Sequence, residues 1–167
     1  MTIAMKTTQS GLDTNESPWA AGAEFGPNAT KSRPGETKAV RRCRMLLVDN
    51  STTLLRAIES MLASVGWIHV VGCAHSGVQA LEWIDLLEPH LILLDLAMPG
   101  MDGLEVTRTL MGRPGRPRII MMTAHIDDDY RRAATDAGVD GFILKADLSD
   151  GLVSLITAVE DGRGEEN

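Results

Sequence analysis

The stretch LILLDLAMPGMDG, residues 91–103, decides the fold that we predict for this chain. Four apolar residues, Leu91 to Leu94, run into Asp95 and then into a turn rich in proline and glycine. A short apolar run bounded by turn formers is typical of a strand buried on both faces of a parallel sheet. Ligands of open α/β sheets bind at the carboxyl ends of the strands, so Asp95 stands where chemistry is expected. An acid at this position can also simply cap the following turn.

Four further short apolar runs alternate with segments of helical periodicity. The strands that we predict there cover residues 44–48, 68–73, 118–122 and 141–144. Helices are predicted to begin at the following positions: Ser51, Ser76, Leu104, near Asp127, and Ser149. The chain is expected to leave the first helix through Gly66 in a left-handed conformation, and Gly138 is expected to end the fourth helix. Short strands that alternate with helices predict a three-layer, doubly wound α/β domain around a five-stranded parallel sheet.

The composition fits one domain of this kind. We place it at residues 43–163, after a disordered tail at residues 1–42 and before a short tail at residues 164–167. No apolar run reaches the ~18–20 residues of a membrane span, and there is no signal-peptide core, so we expect a cytoplasmic protein. Cys43 and Cys73 lack metal-ligand spacing and are expected to be small core residues.

The formal charge of −7 is unevenly distributed along the chain. Residues 1–44 carry seven Lys or Arg and four Asp or Glu, so residues 45–167 carry a net charge of −10. A compact domain this acidic is not expected to bind nucleic acid through its own surface. The basic end of the tail is either a solvated linker or a contact for an anionic partner.

Polar side chains stand at the ends of four predicted strands. They are Asp49 and Asn50 after the first strand, Asp95 at the end of the third, Thr123 after the fourth and Lys145 after the fifth. In a parallel sheet these strand ends share one edge, so the five residues are expected to form one site. Carboxylate and amide oxygens suit Mg²⁺, and a carboxylate beside Mg²⁺ can attack a phosphoryl group. Lys145 and Thr123 would bind the phosphoryl oxygens, although a plain ion pair between Lys145 and Asp95 is an alternative.

At this point the chain resembles the response-regulator receiver domain of two-component signalling. The resemblance covers residues 44–163 and rests on the ordered set LLVDN, LLDLAMPGMDG, IIMMTA and AGVDGFILK. It implies a flavodoxin-like sheet with strand order 2-1-3-4-5. It also implies that Asp95 accepts a phosphoryl group from a sensor histidine kinase or a histidine phosphotransfer protein. The phosphorylated domain would act on a downstream protein target and could dimerise.

The resemblance also implies a set of metal ligands. Mg²⁺ would be held by Asp95, by Asn50 and by the backbone carbonyl of Ala97, with Asp49 acting through a water molecule. Receivers usually carry two acids after the first strand, whereas this chain has Asp49 and Asn50. An amide oxygen can still bind Mg²⁺, but one negative charge is missing, so we expect weaker Mg²⁺ binding.

The switch residues follow from the same resemblance. Thr123, Ala124 and Lys145 would bind the phosphoryl group. Thr123 would move toward the phosphate while the ring of Phe142 swings into the space that Thr123 leaves. The reshaped face would comprise the fourth helix, the fifth strand and the fifth helix. The alternative for Phe142, whose ring lacks the hydroxyl found in many receivers, is ordinary core filling.

One further position departs from the family pattern, and one histidine close to the predicted site has two interpretations. Many receivers have a Lys-Pro pair with a cis bond, whereas this chain has Lys145-Ala146, for which we expect a trans bond because a cis bond before alanine costs ~2.5–4 kcal/mol. His125 follows Thr123 by two residues and either tunes the lifetime of the phosphate or is a surface loop histidine.

Two rival functions belong to other classes. In the first, the loss of the second acid has ended phosphorylation, and the chain is a receiver-like protein interaction module. In the second, the chain is a phosphatase with an aspartyl nucleophile. Such an enzyme needs an acid two residues after Asp95, where this chain has Ala97. The phosphatase is therefore the weakest of the three hypotheses, after the phosphorylated receiver and the interaction module.

Overall fold

A computed structural model of the chain describes residues 42–125 and 128–162. Apart from Arg42, the two predicted tails lie outside the described residues, as does Asp127, near which we predict the start of the fourth helix. No helix in the described part of the chain is long and apolar enough to cross a membrane.

The described residues form alternating strands and helices. In chain order they are β1 (Cys43–Val48), α1 (Thr52–Leu62), β2 (Ile68–Ala74), α2 (Gly77–Leu87), β3 (Leu91–Asp95), α3 (Gly103–Leu110), β4 (Arg118–Thr123), α4 (Asp128–Asp136), β5 (Gly141–Leu144) and α5 (Leu148–Asp161). The five strands are parallel and stand in the order β2-β1-β3-β4-β5. This confirms the predicted doubly wound α/β fold and its strand order.

Alternating side chains of the central strands fill two separate cores. Met45 and Leu47 of β1 face the core covered by α1 and α5, while Leu46 and Val48 face the core covered by α2, α3 and α4. All five residues of β3 are buried, as predicted for a strand covered on both faces. The sheet is therefore a rigid platform, and its strand ends have fixed positions.

Capping side chains set the starts of three helices. The Ser51 and Ser76 hydroxyls accept hydrogen bonds from the backbone N–H groups of Leu54 and Gln79, which confirms both predicted starts. Asp102 and Glu105 form a capping box at the start of α3. The predicted start of the last helix at Ser149 is wrong. Residues 145–147 form a 3₁₀ turn that leads directly into α5 at Leu148, so the chain is already helical before Ser149.

One of the two predicted glycine positions is confirmed and one is wrong. Gly138 follows α4 with a φ of 86°, and a Cβ there would collide with the Met111 side chain. Gly66 is not among the glycines with positive φ. Helix α1 ends at Leu62, and Ala63 caps it in a right-handed conformation, so the chain has left the helix before it reaches Gly66.

A partly buried ion-pair cluster connects the start of β4 and the loop before it to Asp140, the residue that precedes β5. Asp140 accepts hydrogen bonds from Arg116 at 2.9 Å, from Arg118 at 2.8 Å and from the backbone N–H of Ile119 at 2.8 Å. Burial on its own would raise the pKa of Asp140, but the two arginines and the backbone donor hold it below its usual value. Asp140 is therefore expected to stay ionised and to stabilise the fold at neutral pH.

Candidate functional site

The ends of four neighbouring strands bring the predicted polar residues to one edge of the sheet. Asp49 follows β1, Asp95 ends β3, Thr123 ends β4 and Lys145 follows β5. The sequence placed these residues at strand ends, and the parallel register places the strand ends side by side. The glycine-rich turn after β3 belongs to this arrangement, because a Cβ at Gly103 would collide with the Asp95 backbone carbonyl.

Lys145 contacts both carboxylates of the site. Its Nζ donates a hydrogen bond of 2.7 Å to Asp49 Oδ2 and lies 3.0 Å from Asp95 Oδ1. The Asp49 and Asp95 side chains are 0% and 2% exposed, whereas the Lys145 side chain is 24% exposed. The ammonium therefore bridges two buried acids and is more than the plain partner of Asp95. The three charges sum to −1.

The two carboxylates differ in how their oxygens are satisfied. Asp49 Oδ1 accepts a 2.6 Å hydrogen bond from the Ser51 backbone N–H, and its Oδ2 accepts from Lys145. Asp95 Oδ1 is buried, and the Lys145 ammonium at 3.0 Å is its one contact of hydrogen-bonding length. A carboxylate oxygen has two lone pairs, so Oδ1 keeps one for a cation or another donor. Both oxygens of Asp49 are therefore bonded within the protein, whereas Asp95 can still bind a cation or a donor.

Burial and the neighbouring charges shift the pKa values of the site. Burial raises the pKa of Asp95 above its usual value, and the Asp49 carboxylate adds to the rise, while Lys145 and the Ala97 backbone N–H oppose it. Burial on its own would lower the pKa of Lys145, but the two carboxylates outweigh it and hold that pKa above its usual value. Lys145 therefore stays charged at neutral pH.

The donor set at this edge of the sheet fits a hard divalent cation. The carboxylates of Asp49 and Asp95 are at the site, and Asn50 and Ala97 are exposed beside them. Oxygen ligands of this kind suit Mg²⁺, and the buried Asp95 Oδ1 has room for one more partner. Within residues 42–125 and 128–162 no three His, Cys, Asp or Glu side chains converge in a way that could hold a metal ion.

Thr123 lies at the site but is bonded within its own loop. Its hydroxyl donates to the His125 backbone carbonyl at 3.1 Å and accepts from the His125 N–H at 3.4 Å. His125 and Ala124 are exposed, as expected of a surface loop. Because the hydroxyl has one proton, it must give up its bond to the His125 carbonyl before it can donate to another group.

The family comparison agrees with this geometry. The response regulator receiver domain family matches residues 45–157. The chain belongs to the response regulator receiver family. It is 35% identical over 113 residues to the response regulator protein VraR of Staphylococcus saprophyticus, which covers 68% of this chain and 54% of VraR. It is 32% identical over 119 residues to the transcriptional regulatory protein LiaR of Bacillus subtilis, which covers 71% of this chain and 56% of LiaR. This receiver spans about half the length of these relatives.

Solved receivers have the same fold. The signal receiver domain of the response regulator NarL from Mycobacterium tuberculosis is 28% identical and aligns with a TM-score of 0.66, over 75% of this chain and 99% of that one. A two-component response regulator of the LuxR family from Aurantimonas sp. is 27% identical and aligns with a TM-score of 0.68, over 72% of this chain and 86% of that one. The chain is thus a receiver domain of the type found in two-component response regulators, a family of signalling switches.

The structure also shows the surroundings of Phe142 and the conformation of the Lys145-Ala146 bond, both singled out from the family pattern. Phe142 is half-buried on the face covered by α2, α3 and α4, where the Arg131 guanidinium lies 5.8 Å from the centre of its ring. Phe142 therefore packs partly in the core and partly against a charged side chain, so core filling alone does not describe it. The peptide bond between Lys145 and Ala146 is trans, as expected, since the described residues contain no cis bond.

The sequence reasoning missed Ser51 as a residue that positions the site. Only its hydroxyl was considered, as a helix cap, yet its backbone N–H also fixes Asp49 Oδ1. An aspartate two residues before a capping serine is the pattern of a side chain that bonds the backbone two residues on, which could have indicated this contact. The same two residues thus start α1 and orient one carboxylate of the receiver site.

Replacing Asp95 with asparagine is expected to stabilise this receiver in metal-free buffer at pH 7, by about 1 kcal/mol, the size of a typical stabilising substitution. The folded state holds the Asp95 proton more tightly than the unfolded chain does, because its pKa is raised. That contribution to stability is present below the ordinary aspartate pKa and is lost as the pH rises through the folded pKa. Urea unfolding with EDTA measures the gain. It should disappear at low pH, where Asp95 is protonated, and a variant less stable than wild type at pH 7 would contradict the argument.

Proposed function

We propose that this receiver accepts a phosphoryl group on Asp95 from the phosphohistidine of a sensor kinase or a histidine phosphotransfer protein. The observation that carries the proposal is the buried Asp95 carboxylate, whose Oδ1 lies 3.0 Å from the Lys145 ammonium and has no other hydrogen-bond partner. A carboxylate oxygen that keeps a lone pair can attack a phosphoryl group. The ammonium beside it would neutralise charge on the phosphoryl oxygens.

The chemistry needs little beyond these residues. A carboxylate oxygen of Asp95 attacks phosphorus, the bond from phosphorus to the histidine nitrogen breaks, and the imidazole leaves with the electron pair. Lys145 keeps its proton and stabilises the negative charge on the phosphoryl oxygens. Asp95, Asn50 and the Ala97 carbonyl, with Asp49 acting through a water molecule, would hold Mg²⁺, which would supply further charge neutralisation. The Thr123 hydroxyl, once released from His125, binds a phosphoryl oxygen.

The proposed output is a change of a protein-binding face formed by α4, β5 and α5. Relatives such as LiaR are transcriptional regulatory proteins by name. The strongly acidic charge of residues 45–167 nevertheless favours a protein target over direct binding of nucleic acid by the receiver itself. A phosphorylation-dependent dimer is one form that such a contact could take.

Intact-mass measurement tests the proposal directly. The full chain is incubated with acetyl phosphate and Mg²⁺, and we expect a gain of one phosphoryl group that EDTA prevents. Asp95→Asn is the matched control, because it keeps the shape of the side chain and removes the nucleophile. A wild-type chain that gains no mass would favour the rival function, a receiver-like module that works without phosphorylation.

Replacing Asn50 with aspartate is expected to tighten Mg²⁺ binding about tenfold, because affinity for such cations rises with the number of charged ligands. The variant restores the acid that most receivers carry at this position. Isothermal titration with Mg²⁺ measures the change, and Asn50→Ala, which removes the amide oxygen, is expected to bind more weakly than wild type. Equal affinities for wild type and Asn50→Asp would mean that Asn50 does not face the cation.

A further inference from the structure

Helix α4 is attached to the domain by little apolar surface. Ala134 is the one buried residue of Asp128–Asp136, and Ala137 just after the helix is buried as well. By contrast, α5 buries larger side chains such as Leu152 and Ile156. Because alanine removes little apolar area from water, the packing of α4 contributes less than that of α5. A helix with so few buried apolar contacts is expected to shift at a low free-energy cost.

Arg131 of this helix lies over the ring of Phe142. Its guanidinium carbon is 5.8 Å from the ring centre, within the ~6 Å range of a cation–π contact. Phe142 stands opposite Met121 in the register of β4 and β5, so its side chain lies on the face that α4 covers. Thr123 is two residues further along β4 than Met121 and therefore points to the same face. The contact thus joins a weakly packed helix to an aromatic ring near the end of β4.

We infer that Arg131 is a positioning residue that holds Phe142, and with it α4, in the resting arrangement of the receiver. The inference rests on the proposed function and on the expectation from the family resemblance that the Phe142 ring moves as Thr123 turns toward a phosphoryl group on Asp95. In the structure the Thr123 hydroxyl is bonded to His125, so the ring lies under Arg131 in a state in which Thr123 has not turned. An interaction present in only one of two states shifts the equilibrium toward that state. The Arg131 contact therefore opposes activation until the phosphoryl group is in place.

Titration of the full chain with beryllofluoride, a mimic of the phosphoryl group, in the presence of Mg²⁺ tests this inference. Binding is followed by NMR through the signals of α4 and β5. Arg131→Gln is expected to lower the half-saturating beryllofluoride concentration by about two- to fivefold, the factor that an exposed cation–π contact supplies. Arg131→Lys keeps a cation over the ring and should stay close to wild type. Arg132→Gln removes the same charge from the adjacent, exposed residue and should leave the affinity unchanged.

A second measurement separates the contact from a general loosening of α4. In a Phe142→Leu background the ring is absent, so Arg131→Gln should no longer change the affinity for beryllofluoride. If Arg131→Gln behaves like Arg132→Gln, or binds the mimic more weakly than wild type, the inference is overturned while the proposed function stands. An equal effect in the Phe142→Leu background also overturns it. A wild-type chain that binds no beryllofluoride and gains no phosphoryl group overturns both.

Discussion

Replacing Lys145 with methionine is expected to slow the phosphorylation of Asp95 by acetyl phosphate about 100-fold, the usual effect of removing one preorganised group that stabilises developing charge. Lys145 Nζ lies 2.7 Å from Asp49 Oδ2 and 3.0 Å from Asp95 Oδ1, so it is already in place before a phosphoryl group arrives. Methionine has a similar length and no charge. The time course of the intact-mass gain under saturating Mg²⁺ gives the rate.

Lys145→Arg is the matched control for this prediction. It keeps the positive charge but presents it on a larger planar group, so we expect a rate between those of wild type and Lys145→Met. Circular dichroism of each variant shows whether the domain is folded, since both buried carboxylates lose a partner in Lys145→Met. A folded Lys145→Met variant that is phosphorylated within threefold of the wild-type rate would show that the ammonium does not act on the phosphoryl group.

The Lys145 ion pairs are also expected to persist over the whole neutral pH range. The pKa of Lys145 is raised in the folded chain because the two carboxylates outweigh its burial. A basic group with a raised pKa contributes stability that is complete below its unfolded value and is lost as the pH rises through the folded value. The unfolded value for lysine is about 10.4, so the loss begins only in strongly alkaline solution. A change in phosphorylation rate between pH 6 and pH 8 would therefore have to come from the titration of a group other than Lys145.

The sequence predicted well which residues meet at the carboxyl ends of the strands, because one geometric rule governs their positions. In a parallel sheet all strands end at the same edge, so Asp49, Asp95 and Lys145 could be grouped once the five apolar runs were recognised. The choice of partners within the group could not be predicted in the same way. Whether Lys145 contacts one carboxylate or both depends on side-chain reach in three dimensions. The Thr123 hydroxyl likewise binds its own loop, a local contact that its position at a strand end does not indicate.

Predictions from single residues typical of helix ends were wrong at two positions. Ser149 resembles a helix cap, but the preceding 3₁₀ turn has already set the helical conformation. Gly66 resembles a helix terminator, but α1 ends at Leu62 with a right-handed cap. The Asp140 cluster was not predicted at all. Its partners Arg116 and Arg118 are 24 and 22 residues away in the sequence, and nothing local to either arginine indicates a contact with Asp140.

Replacing Asp140 with asparagine is expected to destabilise the receiver by about 3 kcal/mol at pH 7, toward the lower end of the cost of breaking a buried ion pair. Its side chain is 9% exposed and receives hydrogen bonds from Arg116, from Arg118 and from the Ile119 backbone. Asparagine keeps the shape but removes the negative charge that Arg116 and Arg118 contact. The arginine side chains are 24% and 21% exposed, so solvent recovers part of the loss. Urea unfolding followed by circular dichroism measures the difference.

The matched control for Asp140 is another aspartate paired with an arginine, at the surface. Asp85 binds Arg113 at 3.0 Å, but the two side chains are 69% and 41% exposed, so Asp85→Asn should cost less than about 1 kcal/mol. The pH dependence gives an independent check. Because the pKa of Asp140 is lowered in the folded chain, its contribution is complete above the ordinary aspartate value and is lost as the pH falls through the folded value. The gap between wild type and Asp140→Asn should therefore stay constant from pH 8 to about pH 5 and narrow only below about pH 4. Equal costs for Asp140→Asn and Asp85→Asn would mean that burial does not strengthen this cluster.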